Sequence, residues 1–407
     1  MKRIYTICLS LISVFITVSI VIYPEIAFNA ALKGLDIWFN IVFPALLPFF
    51  IGSQLLMGLG IVHFMGVLLE PFMRPFFNVP GTGSFVIAMG LASGYPAGAM
   101  MTAKLREQNL INKTEAERLI SFTNTADPLF MFGAVAVGMF HNQSLGTVIT
   151  ASHYISCLIL GLLLRFYKMN DKSSPPLSTT SQSKSIVVKA VNELFEARKK
   201  DGRALGQLLG DCIWESVNTL LLIGGFIILF SVITNILTVT GFFDLLIKPL
   251  QIILALFGYE EAFASAIISG TFEITMGSNL TSEVAAPLYQ KVVIVSAIIA
   301  WSGLSVHAQV ASLISKTDIN LYIYLIARII HAALAAVVSY FMMKPDIKNI
   351  SYLAPVFVTS TSSDPLINWL FVFKSSLKFF CFTILCLSAI SLVCNIIKKL
   401  FKTNQIQ

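Results

Sequence analysis

The chain has 407 residues, of which 56% are hydrophobic and only 12% are charged. A soluble domain carries about 25% charged residues, so this composition excludes an ordinary water-soluble enzyme. The hydrophobic residues occur in repeated runs near the length that crosses a bilayer, about 20 residues, and not in the ten-residue alternation of a membrane β-barrel. We therefore predict an all-α polytopic membrane protein.

The formal net charge is +7, and the excess of basic residues lies in the segment 168–212 and in the C-terminal tail. Short basic segments beside membrane spans mark the cytoplasmic side. We therefore expect both termini and the segment 168–212 to be cytoplasmic, with lipid and not nucleic acid as the macromolecular surroundings. The six cysteines lack the spacing of metal ligands, so the sequence indicates no metal and no cofactor.

In chain order, the sequence divides into five segments. These are a retained N-terminal span with an outer link (1–35), a first repeat (36–167), a basic cytoplasmic linker with an amphipathic stretch (168–212), a second repeat (213–343), and an outer loop followed by a C-terminal span with a basic tail (344–407). The apolar run after Lys2 and Arg3 is interpreted as a retained span because no small-x-small cleavage site follows it.

The two repeats are weakly similar to each other. The pairs that correspond in the same order are Gly60 with Gly241, Gly94 with Gly270, and His153 with His331. The turn at 103–118 is basic, whereas its counterpart at 281–290 has no Lys or Arg, which puts the two turns on opposite sides of the membrane. We therefore predict two repeats of inverted topology, an arrangement typical of secondary transporters.

Segments 61–77 and 84–102 could each cross the membrane or form an interfacial helix and a re-entrant hairpin, so we expect about eight to twelve spans in total. The second segment contains Ser93, Gly94 and Tyr95 before a proline, a sequence that interrupts a regular helix. Such backbone is tolerated at membrane depth where it lines a cavity. These three residues are therefore candidate substrate contacts, with a simple kink or close helix packing as the alternative.

A second interruption lies at Asn124, Thr125 and Asp127, followed by Pro128. The proline removes a helical hydrogen bond, and the three polar side chains can replace it. A broken helix presents its ends and polar groups to a substrate, so Asn124 and Thr125 are candidate substrate contacts and Asp127 a candidate for proton coupling. Helix capping alone is the alternative.

The second repeat carries Thr271 and Glu273 at the corresponding glycine-rich position. An ionised carboxylate inside a membrane is costly and usually functional. We therefore expect Thr271 to contact substrate and Glu273 to take part in proton or ion coupling. If the helix ends early, Glu273 lies instead at an aqueous mouth.

Farther along the chain, Ser302, Ser305 and Gln309 fall on one face of a predicted helix. This polar stripe predicts hydrogen bonds to a substrate. His307 lies off the stripe and is either a proton relay or a packed hydrogen-bonding residue.

Arg328 lies about 12 Å along a helix that begins after Asn320, close to the predicted midplane. A guanidinium at this depth requires a partner. Because guanidinium binds carboxylate through two hydrogen bonds, one interpretation is a substrate anion. The other is a buried pair with Glu273 or Asp127.

The sequence shows no nucleotide-binding P-loop, zinc-protease helix or Gly-x-Ser-x-Gly motif. We therefore predict no catalytic residues and no enzyme activity. Transport energy would come from a gradient, from consumption of the solute on the far side, or from a partner protein.

Four stretches resemble the YlbJ-type sporulation integral membrane proteins, which contain two nucleoside-recognition "Gate" segments. The stretches are Phe43–Phe50 (FPALLPFF), Ser93–Gly98 (SGYPAG), Asn124–Phe130 (NTADPLF) and Ala300–Gln309 (AWSGLSVHAQ). The resemblance covers about residues 1–345. It implies two Gate-type repeats with flanking spans, in the outer forespore membrane of an endospore-forming bacterium.

The same resemblance implies a transporter that moves dipicolinic acid from the mother cell toward the forespore. Two alternatives remain open: a nucleoside or ion permease of the Gate family, and a morphogenetic membrane scaffold that transports nothing. The expected partners are a small anionic solute and the bilayer. Self-association and spore-membrane partner proteins are left open.

Overall fold

The computed structural model describes residues 2–169, 171 and 186–343, and every regular element in these ranges is helical. This confirms the predicted all-α class. The predicted C-terminal span, within 344–407, lies outside the described residues, as does the Ser- and Pro-rich part of the linker at 172–185.

The first half of the described chain contains eight α-helices. They are α1 (Lys2–Ile22), α2 (Pro24–Ile37), α3 (Phe43–Gly58), α4 (Ile61–Phe77), α5 (Gly83–Ser93), α6 (Ala97–Glu107), α7 (Lys113–Thr123) and α8 (Ser144–Leu164). Two π-helical segments join neighbouring elements, Trp38–Val42 before α3 and Leu129–Met139 before α8.

The second half contains eight more. They are α9 (Ile186–Asp201), α10 (Leu205–Val239), α11 (Phe242–Leu256), α12 (Phe263–Phe272), α13 (Ile274–Glu283), α14 (Leu288–Trp301), α15 (Gly303–Ile314) and α16 (Leu321–Met342).

The eight to twelve spans predicted for the whole chain include a C-terminal span outside the described residues, so the described ranges test that number only in part. In the described ranges four pass a test of length and apolarity: α8, α10, the pair α14–α15 and α16. Two bent pairs, α1–α2 at 103° and α3–α4 at 79°, raise the number to six if each is one span. Residues 84–102 form parts of two helices of 11 residues each. These are shorter than the roughly 20 residues that cross a bilayer, which agrees with the re-entrant hairpin and not with a full crossing.

Two predicted segment boundaries differ from the observed helices. The expected outer link contains α2, which packs through Ala27 and Ala30 against Val232 and Ile236 of α10. The expected end of the linker at residue 212 falls inside α10, which begins at Leu205. The amphipathic stretch of the linker forms α9, as its sequence pattern predicts.

The order of elements repeats along the chain. Each half has an amphipathic helix that follows a left-handed glycine, Gly60 before α4 and Gly241 before α11. Each continues with a helical hairpin (α5–α6 and α12–α13), an element broken in its middle (α7 with the second π-helix, and α14–α15), and a long helix (α8 and α16). This repetition matches the predicted duplication, whereas the opposite orientation of the halves stays a prediction.

The hairpin α5–α6 packs against the broken end of α7 without room for side chains. A Cβ atom on Gly98 would overlap the carbonyl oxygen of Thr123 and lie 2.8 Å from the backbone nitrogen of Asn124. The first break is therefore held by direct contact between backbones.

Inverted topology predicts that the exposed positions Glu107 and Ala285 lie on opposite sides of the membrane. We expect Ala285→Cys, in a cysteine-free variant, to react with an impermeant maleimide added outside intact bacteria. Glu107→Cys should react only after permeabilisation. Labelling of both positions from the same side would contradict the inverted repeat.

Replacing Gly98 with alanine should lower stability by about 1–3 kcal/mol, since the added methyl group overpacks the contact with α7. The measurement is thermal unfolding of the purified protein in detergent. The matched control is Gly225→Ala in α10, where a Cβ meets no atom within 4 Å and alanine favours the helix. Equal unfolding midpoints for the two variants would show that the contact between Gly98 and the end of α7 has room for a methyl group.

Candidate functional site

Broken elements from both halves meet in the interior. Gly94, with φ +73°, separates α5 from α6 and lies against Asp127 in the break that follows α7. The Tyr95 hydroxyl donates a hydrogen bond of 3.0 Å to the Ile299 carbonyl of α14. The first hairpin is thereby joined to the second repeat beside the break at Ser302.

The second hairpin, α12–α13, contacts the same region through the break between α14 and α15. The indole nitrogen of Trp301 donates a 3.0 Å hydrogen bond to the Thr271 carbonyl. Gly303 packs against the backbone of Phe272 and Glu273. The structure therefore brings the three predicted interruptions together with the predicted polar stripe. The helix predicted to carry that stripe is broken at Ser302, which has φ +74° and lies between α14 and α15.

Tyr324 of α16 lies at the centre of this region and is fully buried. Its hydroxyl accepts a 3.0 Å hydrogen bond from the Asn124 amide and lies 3.4 Å from the Ser302 hydroxyl. Its ring meets His307 edge to face, with centroids 5.5 Å apart. One side chain thus connects the breaks of the two repeats; Tyr324 with Asn124, Ser302, His307 and Arg328 is called the central cluster below.

Arg328 follows Tyr324 by one helical turn, with its guanidinium carbon 5.4 Å from the tyrosine ring centroid. It is fully buried and donates to the carbonyls of Asn124, at 2.9 Å, and Ser121. These carbonyls belong to the C-terminal end of α7, where helical partners are missing and the helix dipole is negative. Arg328 therefore stabilises the open end of the broken helix.

No carboxylate in the described part of the chain forms a salt bridge with Arg328. The predicted pairing with Glu273 or Asp127 is therefore not observed. Glu273 instead accepts a 2.8 Å hydrogen bond from the Met276 backbone nitrogen at the start of α13. Asp127 likewise accepts from Phe130, at 2.9 Å, so both carboxylates cap helical segments.

Two histidines of the long helices extend the buried polar region. His153 of α8 accepts a 3.1 Å hydrogen bond from the Ala126 backbone nitrogen through Nε2, so its proton is on Nδ1. His331 of α16 donates from Nε2 to the His153 carbonyl at 3.0 Å. The rings are 4.7 Å apart. His307 similarly donates to the Trp301 carbonyl at 2.9 Å.

The other predicted contacts lie around the central cluster. Ser93 is buried and its hydroxyl has no hydrogen-bond partner. Thr125 donates to the Gly90 carbonyl at 3.3 Å, and Thr271 to that of Ile267 at 2.8 Å. Ser305 and Gln309 are buried along α15.

Sequence reasoning missed Tyr324 and the Ser121 carbonyl. Residues four apart on a helix are neighbours, so Tyr324 could have been found as a neighbour of Arg328. The carbonyl of Ser121 carried no such signal because every residue has one. Asn124, Ser302, Tyr324 and Arg328 are each 0% exposed, so the central cluster is closed in this conformation.

The chain is similar to known proteins over most of its length. Residues 39–163 match the Gate family, described as nucleoside recognition. The sporulation integral membrane protein YlbJ of Bacillus subtilis (strain 168) is 47% identical over 345 residues, which are 85% of this chain and 84% of that protein. This confirms the family resemblance of the four motifs.

Two solved structures show limited structural similarity to this chain. A structure of CNTnw in an inward-facing substrate-bound state has 13% identity and a TM-score of 0.41, covering 82% of this chain and 87% of that one. A structure of a doubly substituted CNTnw variant in an outward-facing state has 12% identity and a TM-score of 0.37, covering 81% and 87%.

Tyr324→Phe should destabilise the protein by about 1–3 kcal/mol, because the buried Asn124 amide loses its acceptor. Thermal unfolding in detergent would measure this loss. Tyr322→Phe is the matched control, since Tyr322 lies on the same helix with 74% of its surface exposed. An unfolding midpoint of Tyr324→Phe equal to that of the control would show that the Tyr324 hydroxyl does not stabilise the central cluster.

Proposed function

The chain belongs to the family of YlbJ-type sporulation integral membrane proteins, and from that membership we propose that it is a membrane transporter of dipicolinic acid. It would act in the outer forespore membrane and carry the solute from the mother cell toward the forespore. The energy would come from a gradient, from consumption of the solute on the far side, or from a partner protein.

One observation carries the choice of an anionic solute: Arg328 is buried without a carboxylate partner in the described ranges. Dipicolinate is a planar aromatic dianion at neutral pH. Its carboxylates match the two-pronged donor geometry of guanidinium, and the rings of Tyr324 and His307 offer aromatic faces beside it. The solute would replace the carbonyls of α7 as partners of Arg328.

Because the central cluster is closed, transport requires the broken elements to move. Candidate substrate contacts are the groups at these breaks. They are Ser93, Gly94, Tyr95, Asn124, Thr125, Thr271, Ser302, Ser305, Gln309 and Arg328. Asp127, Glu273 and His307 are the candidates for proton coupling: protonation of either carboxylate would weaken the helix start that it caps.

The match of residues 39–163 to a nucleoside-recognition family favours a nucleoside permease as the second candidate. A nucleoside would use the amide and hydroxyl groups of Asn124 and Ser302 and would not need the charge of Arg328. The two candidates therefore differ in their dependence on this cation.

Arg328→Gln should lower the initial uptake of labelled dipicolinate into proteoliposomes at least tenfold, since hydrogen bonds to charged groups contribute about 1.5–3 kcal/mol. Arg165→Gln, an exposed arginine at the end of α8, should transport at the unaltered rate. Unfolding midpoints would show that Arg328→Gln is folded, and Arg328→Lys should recover part of the uptake.

Uptake should be measured with and without a proton gradient and with uridine as a competitor. Dipicolinate uptake by Arg328→Gln at the control rate would remove the arginine from the mechanism. Uptake of uridine without dipicolinate would favour the permease. If neither solute moves, and loss of the 168–212 linker impairs spore formation more than substitutions at the breaks, the protein is a scaffold.

A further inference from the structure

A cavity of about 410 Å³ lies between α3, α4, α6, α9 and the start of α10, and none of its lining residues belongs to the central cluster. Its volume falls in the range of small-ligand sites, about 300–1,000 Å³. The ionisable residues that line it are His63, Lys104, Lys200, Asp201, Arg203, Cys212 and Glu215. It lies at the end of the protein that the charge pattern predicts to be cytoplasmic.

The acidic residues of this lining are already paired with cations of the wall. Arg203 donates to Asp201 at 2.8 Å and to Asp211 at 2.9 Å. The hydrogen bond from Arg203 holds the pKa of Asp201 below its usual range. Lys104 pairs with Glu215, so neither lining carboxylate needs a cation from outside.

The unused groups of the lining are cationic or can donate hydrogen bonds. Lys200 is exposed and forms no ion pair with any described residue. The Nδ1 atom of His63 is buried without a hydrogen-bond partner. Lys104 uses donors toward Gln54, at 2.6 Å, and Glu215, while an ammonium group has three. A ligand that satisfies these groups must supply acceptors and negative charge.

We propose that this cavity is a second binding site, for a small anion with two or more carboxylates. Helix α6 connects this cavity to the break at Gly94. Helix α6 begins at Ala97, beside the break at Gly94, and reaches Lys104 about 10 Å farther on. An anion bound in the cavity would therefore contact the C-terminal end of α6, whose N-terminal end adjoins the break at Gly94.

The identity of the anion rests on the proposed function: it is the solute captured before it enters. A cytosolic tricarboxylate that regulates the protein would have the same binding chemistry. The site itself does not depend on transport, because its charges and its volume lie outside the central cluster.

The test is isothermal titration of the purified full chain in detergent with dipicolinate and, separately, with citrate. The Arg328→Gln background removes the contribution of the central cluster. We expect one of the anions to bind, with an affinity that falls as salt is added. Lys200→Gln should weaken this binding about tenfold, as loss of a charged hydrogen bond predicts.

Lys199→Gln is the matched control, because Lys199 is an exposed neighbour on α9 that does not line the cavity. Binding that both variants weaken equally, or that neither changes, would overturn the proposal, as would the absence of binding by either anion. If dipicolinate binding depends on Lys200, the cavity is a capture site for the solute. If citrate binding depends on Lys200, the cavity is a regulatory site.

The two proposals fail separately. Lys200-dependent binding in a protein that moves no dipicolinate refutes transport and supports the cavity. Normal uptake with no Lys200-dependent binding refutes the cavity and supports transport.

Discussion

The interior of the protein depends on the contact of Arg328 with the carbonyls of Ser121 and Asn124. Inside a bilayer there is no water to satisfy backbone groups, so a helix that stops at membrane depth must find partners within the protein. The guanidinium supplies donors and positive charge where the dipole of α7 is negative. The partners of Arg328 in this conformation are neutral carbonyls, and under the proposed function a carboxylate of the solute would compete with them.

The repeated order of elements explains why the breaks converge. Each half supplies a hairpin too short to cross the bilayer and an interrupted helix, and their ends meet around Tyr324. Contacts such as Tyr95 with Ile299 and Trp301 with Thr271 join the halves or the adjacent breaks. Neither half would satisfy its exposed backbone alone, so the two form one interior.

The sequence allowed the breaks and the buried cation to be predicted, because glycine, proline and charge have strong local consequences in lipid. Asn124, Ser302 and Arg328 were identified in this way and do meet. The partners of each group were not predictable, since they depend on packing between distant elements. Glu273 and Asp127 looked like partners for Arg328 by charge, yet both cap helices. Whether residues 84–102 cross the bilayer could not be decided from the sequence, because apolar composition does not distinguish short hairpin helices from crossing ones.

Helix α10 has 35 residues, which at 1.5 Å each make a rod of about 52 Å, against a hydrocarbon thickness of about 30 Å. Even when tilted, it must project well past the lipid tails. Its first turns carry Asp211 and Glu215, so this end stands among the headgroups and in the water beyond. Helix α9 packs against α4 beside this end, and Arg203, in the link from α9 to α10, is tied to Asp211. These charged groups therefore lie where a dissolved ion first meets the protein.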